Sequence, residues 1–446
     1  MEENYLFEQE SIHKAYFKLA LPVVFSMVVS LIYNMVDTYF IARTQDTTLI
    51  AGVSIGAPVF TLMIALGDIF GLGGSSAISR LFGQKCYEDG KRISAFCFYA
   101  AIVLGLVCSA ILVLFHRPIL YLLGADAQTF AHAKNYFTVI ALGAPVIILT
   151  LVPSNILRTE GLIKASMTGS ILGAVINMIL DPLFILYLGM GARGAAIATV
   201  IGNLVTDIYF IFILLTKSRR LSLSLSLLHI TALQFRDILA IGIPAAITNL
   251  MQSLSIALTN RFLLPYGNDK IAAMGIVMKI NMITALVLVG FAFGAQPLIG
   301  YNYGARNRDR LRGTLRFCYL FEVMLALIMS LAMCLTAPGL VSLFVTDAGI
   351  ITNGALMLRL QQISMVCIAV VLVSTCTFQS AGKAAQAFWL SINRQGILFA
   401  VILLAASHFL GYHGILSTQA IADFLTALLA AFFMYMLWKR ELSWKE

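Results

Sequence analysis

Apolar residues run along this chain in long stretches broken by short polar segments. Charge-free runs fall near residues 19–36, 47–67, 94–115, 135–157, 165–180, 194–206, 238–260, 280–305, 323–346, 360–382, 395–422 and 424–438. Roughly 20 apolar residues cross a bilayer as one helix, and open-ended segments satisfy their backbone hydrogen bonds in hydrocarbon only as helices. The pattern therefore predicts an all-α, polytopic membrane protein with twelve spans. The 395–422 run is too long for one crossing and is expected to break between His408 and Gly414. The polar start, Met1-Glu2-Glu3-Asn4, shows no cleavable leader, so the first apolar run is expected to remain as a span.

Composition sharpens this picture. Apolar residues make up 60% of the 446 residues and charged residues 11%, against roughly a quarter charged in soluble domains. That balance excludes a soluble enzyme and a disordered scaffold. The net charge of +9 would point to nucleic acid in a soluble protein, but here its distribution explains it. Lys and Arg gather in the loops after spans 2, 4, 6, 8 and 10, including Arg80, Lys85, Arg158, Lys164, Arg219, Arg220, Arg306–Arg316, Lys383 and Arg394. Positive loops stay in the cytoplasm, which places both termini there, in an inner (plasma) membrane, with no nucleic-acid partner. The seven cysteines are scattered through apolar runs and read as small hydrophobes.

The second half repeats the first. Pro22 returns as Pro244, Gly83 as Gly304, Gly161 as Gly382 and Gly194 as Gly414, at offsets of 222, 221, 221 and 220. Two like-oriented six-span units follow, 1–218 and 237–446, joined by a cytoplasmic linker at 219–236 in which Leu221–Leu228 could lie as an amphipathic segment. A cavity at the interface of such halves is a recurring transporter design.

Polar residues inside spans are the candidate chemistry, because ionised groups there are expensive. Asp37 and Asn34 lie in span 1, Asn177 and Asp181 share a face of span 5, and Thr199 lies in span 6. All fall in the outer half of the membrane and offer oxygen donors, suited to a proton or a sodium ion. Asp37, Asn177 and Asp181 have no acidic or amide counterpart in the second half, where Thr259, Leu398 and Ile402 stand. Asp68, with Met251, Met278 and Met282, is a candidate lining for a substrate cavity. Asp207 and Asp423 are weaker candidates, and Glu160 is expected to pair with Arg158 and Lys164 in a cytoplasmic turn. Gly71-Leu72-Gly73-Gly74 lacks the ending of a phosphate loop and reads as close helix packing. No nucleotide loop, zinc-protease motif or nucleophile elbow is present, so no cofactor and no enzymatic activity are expected.

Several motifs, in order and spacing, resemble those of the MATE family, the multidrug and toxic compound extrusion transporters. They are Leu21-Pro22, Tyr33-Asn34-Met35-Val36-Asp37, Gly83-Gln84, Arg158-Thr159-Glu160-Gly161, Asn177-Met178-Ile179-Leu180-Asp181-Pro182, Gly194-Ala195-Ala196-Ile197-Ala198-Thr199 and Gln296-Pro297-Leu298-Ile299-Gly300-Tyr301-Asn302-Tyr303-Gly304-Ala305. The chain is most similar to bacterial exporters of the DNA-damage-inducible type. The resemblance implies two pseudo-symmetric bundles in a V, antiport of amphipathic cationic drugs against protons or sodium, and alternating access. It assigns the coupling ion to Asp37, Asn177, Asp181 and Thr199, and a helix bend to Pro22. A role in antibiotic resistance and function as a monomer are further expectations. The rival reading is a flippase for lipid-linked sugars, which would favour a cationic cavity; Lys and Arg mostly avoid these spans.

Overall fold

The computed structural model describes residues 5–442, apart from the side chains of Asn268 and Leu442. Among these residues all regular structure is helical. The principal helices are α1 (Ile12–Ala42), α2 (Thr47–Gly83), α3 (Tyr87–Leu114), α4 (Phe130–Thr159), α5 (Ile163–Asp181), α6 (Gly191–Thr216), α7 (Ala232–Leu263), α8 (Asn268–Gly304) and α9 (Arg308–Ser342). They are followed by α10 (Ala348–Ile363), α11 (Met365–Ser380), α12 (Ala384–Gln395) and α13 (Ile397–Leu437). Helices α1 to α9 are each long and apolar enough to cross a bilayer. α10 and α11 bend by 40° at Ser364 and pass that test together. The 58 residues of Ala384–Glu441 would reach far beyond a bilayer at about 1.5 Å per residue. Non-helical backbone at Gly411 (φ 55°, ψ −129°) divides them into two crossings. Twelve crossings result, with the last break inside the predicted interval.

The repeat extends to the backbone itself. Residues in the left-handed region recur as Lys85 and Arg306 (306 − 85 = 221), Gly161 and Gly382 (221), and Gly191 and Gly411 (220). The flanking helix ends close alike: the Cys86 and Asn307 N–H groups donate to Leu81 and Asn302, at 2.9 and 3.0 Å. A left-handed residue just past a helix lets these bonds form. Conserved offsets at such residues show that equivalent helices stop in equivalent ways.

By density of packing the chain forms two compact units. One comprises Phe25–Asn249; the other begins at Leu250 and includes the N-terminal residues up to Val24. Helices α1 and α7 each contribute one part to each unit. In the first unit, glycines bring helices into backbone contact: a Cβ on Gly71 would lie 2.8 Å from the Leu151 carbonyl, and one on Gly73 2.3 Å from that of Ile238. The glycine run is thus a packing surface. In the second unit Tyr16, Phe291, Phe317 and Phe321 form an aromatic cluster, with Tyr16 fully buried. Large apolar residues remain exposed along outer faces, as with Leu204, Ile208, Phe212 and Leu215 on α6, spaced for one stripe. Such a stripe suits lipid.

The structure details the linker and corrects two expectations. The Leu221–Leu228 segment holds one short 3-10 turn, Leu225–Leu227, and is strapped to α3. Ser94 donates to the Ser222 carbonyl at 3.0 Å, and the Tyr99 hydroxyl donates to that of Leu223 at 2.9 Å. Glu160 does not pair with Arg158 or Lys164. Its carboxylate accepts from the Ser218 hydroxyl and from the Arg219 and Arg220 N–H groups, at 2.5, 2.7 and 2.9 Å, because the linker offers backbone donors at its start. Arg394 is not a loop residue. Helix resumes at Ala384, so Arg394 lies in the last turn of α12, where it pairs with fully buried Asp423 at 3.1 Å.

Candidate functional site

Close contact between α5 and α6 places the site. A Cβ on Gly173 would lie 2.0 Å from Thr206 Oγ1 and 2.6 Å from the Gly202 carbonyl, and one on Gly202 3.2 Å from Asn177 Cβ. Only glycines allow the two backbones so near, and this approach seats Asn177 against Thr199. Asp181 closes α5 one turn later. Pro182 follows and removes the N–H that would have bonded Met178, and the chain continues as a π-helical segment, Pro182–Tyr187. Such segments are frequent at functional sites.

Asn177, Asp181 and Thr199 are buried, at 2%, 0% and 6% exposure. The Asn177 amide bridges the other two. Oriented to satisfy both, it donates to Asp181 Oδ2 at 3.0 Å and accepts from the Thr199 N–H at 3.0 Å. Asp181 Oδ1 is left buried without a partner. From α1, Asp37 comes within electrostatic reach of Asp181, and its Oδ1 is likewise buried and unpartnered. Two further residues complete the pocket. Tyr33 faces Thr199 and both acids; Tyr136, on α4, faces Asp37, Asp181 and Tyr33. Tyr136 fits because Gly56 leaves room: a Cβ there would meet its ring at 2.4 Å.

Four of the five proposed ion-site residues therefore converge. Asn34 is placed elsewhere; its side chain is exposed and its amide donates to the Ser30 carbonyl of its own helix, at 2.7 Å. Pro22 lies inside the unbroken helix α1. Asp68 accepts from Asn249 at 2.9 Å, with Arg158 within electrostatic reach. Asp207 accepts from the Thr150 hydroxyl at 2.8 Å. In the second unit Met278 packs against the core, Met251 lies beside Gly396, and Met282 is exposed.

The MatE family model matches residues 22–183 and 244–404, once in each half of the repeat. The chain belongs to the MatE family. The multidrug export protein MepA of Staphylococcus aureus is 30% identical over 436 residues, covering 98% of this chain and 96% of that protein. Among solved structures, a MOP superfamily transporter from Pyrococcus furiosus, reported with a binding pocket of reverse polarity suggesting a different function, superposes with a TM-score of 0.92. It is 25% identical, with 98% of each chain covered. An outward-facing multidrug resistance MATE family transporter gives a TM-score of 0.93 at 24% identity, covering 100% of this chain and 99% of that one, and shares the fold.

In this MatE chain the donors that meet at the pocket are carboxylate, amide and hydroxyl oxygens. Hard cations are held by such oxygens. Two carboxylates in surroundings of low dielectric resist ionising together, so a proton taken up there belongs to the pair. The Oδ1 atoms of Asp37 and Asp181 remain unused acceptors in this pocket.

Proposed function

We propose that this MatE chain is a secondary-active multidrug exporter. It expels amphipathic, cationic organic compounds in exchange for protons or sodium ions taken up at Asp37 and Asp181. Supporting this are its similarity to a multidrug export protein and one observation above others: buried Asp181 and half-buried Asp37, both of the first unit, each keep one buried, unpartnered oxygen in a pocket of oxygen donors. External ions load this pocket, through Asp37, Asn177, Asp181 and Thr199, and favour release of the drug. After the ion leaves inside, the recharged pocket favours drug capture. The coupling is reciprocal, so ion and drug weaken each other's binding. With both termini cytoplasmic, the cargo leaves the cell through the bacterial inner membrane.

The test is efflux of an ethidium-like dye from proteoliposomes, first under an imposed pH gradient and then under a sodium gradient. One of the two should drive efflux in the native chain, and Asp37→Asn and Asp181→Asn should each reduce it at least tenfold. Full efflux in both variants would dismiss the assigned site, and no response to either gradient would dismiss ion exchange.

A further inference from the structure

Glu322 stands near the middle of α9, is 0% exposed, and both its carboxyl oxygens are buried without a hydrogen-bond partner. Ionised, it would lose its hydration with nothing in return. A protonated carboxyl avoids that penalty. The titratable groups that face it are Tyr16 from α1, Cys376 from α11 and Cys318 one turn back on its own helix, none of them a cation. From α8 comes Phe291, stacked on Tyr16 at 6.2 Å, while Phe317 and Phe321 meet the same ring edge-on at 5.1 and 5.4 Å. The neighbouring Tyr319 hydroxyl is engaged with Ser374 at 2.6 Å. Cations lie further down α9, where Arg312 and Arg316 sit over the Trp438 ring of the C-terminal segment. The Tyr16 hydroxyl is itself buried and unpartnered.

Packing does not require an acid here. The repeat-related residue of the first half is Ala101 (322 − 221 = 101), and a buried ionisable group inside a membrane helix is a functional candidate by default. What Glu322 adds over an apolar residue is exchange of a proton. We propose that Glu322 is a proton-binding site of the second unit, distinct from the Asp37–Asp181 pocket, which holds its proton while the Tyr16 face of α1 covers it.

Infrared difference spectra of the full-length protein read this directly and do not depend on efflux, so their outcome is independent of the exporter reading. Wild type minus Glu322→Gln at neutral pH should show loss of one protonated-carboxyl C=O band. Loss of a carboxylate band instead would overturn the proposal. Tyr16→Ala removes the cover, and the same subtraction in that background should now show a carboxylate; a protonated band that stays unchanged would refute the covering role. Should Glu322→Gln fail to accumulate, Glu322→Asp displaces the band and serves the same purpose.

Discussion

Asp46 caps α2, accepting from the Thr48 hydroxyl at 2.6 Å and from the Thr48 and Leu49 N–H groups at 2.9 and 3.1 Å. These donors, the Thr48 hydroxyl foremost, hold its carboxyl below the usual carboxylate range. A lowered value in the fold contributes stability above the ordinary carboxylate range and loses it as pH falls through the lowered value. Asp46→Ala should therefore melt below the native protein at neutral pH, and the gap should narrow on acidification; a gap independent of pH would remove this account. At the proposed ion pocket, single residues were legible to different degrees. Asn177 and Asp181 announced themselves by spacing, four apart on one face. For Asp37 the face was misjudged: at about 100° per residue, Tyr33 lies 40° from it and Asn34 60°, and the structure brings in Tyr33. Tyr33→Phe is accordingly expected to weaken ion-driven dye efflux more than Asn34→Ala does. Tyr136 carried no sequence signal, because its place depends on the space left by Gly56 on another helix.

At the scale of elements, the contact of α5 with α6 and the ion pair of α12 with α13 make opposite demands. The first needs atoms to be absent. Gly173→Ala would press a methyl onto Thr206 and the Gly202 carbonyl, and overpacking of this kind costs about 1–3 kcal/mol. A lowered melting temperature and a disturbed response to the driving ion are both expected, since Asn177 sits one turn away. The second needs charge on both sides. Asp423 is fully buried and is held by Arg394 at 3.1 Å and Gln419 at 3.0 Å. Removing one member of such a pair strands the other, at about 3–5 kcal/mol. Arg394→Met should destabilise the protein strongly in thermal melts, and adding Asp423→Leu should restore most of the loss. Arg394 and Glu322 were missed for one reason. Spans extend in the sequence reading through carboxylates at the ends of runs, such as Asp37 and Asp181, but begin after a charge that precedes a run: one apolar run starts at 323, just after Glu322, and another at 395, just after Arg394. Periodicity reports where water is absent on average; it does not report a buried polar group whose surroundings are built by other helices.

Over the whole molecule, the twelve crossings and the repeat were readable because both rest on local chemistry: apolar length, and glycines or prolines at helix ends. The linker was less so, since its path is set by Ser94, Tyr99 and Glu160, all distant in sequence. Orientation can be checked with the chain's own thiols. Of seven cysteines, Cys86 is exposed, in the positive loop between α2 and α3, and the others are buried or half-buried. A membrane-impermeant maleimide should label Cys86 in inverted vesicles and leave it unlabelled in intact cells; the reverse result would invert the topology. The twin acids of the ion pocket carry a last consequence. Acids that resist ionising together share one proton, so the pair gains and loses a single positive charge in a cycle that expels a single monovalent cation. Export would then be electroneutral: an imposed pH or sodium gradient should drive it at zero voltage, and collapsing the voltage with a potassium ionophore should leave its rate unchanged.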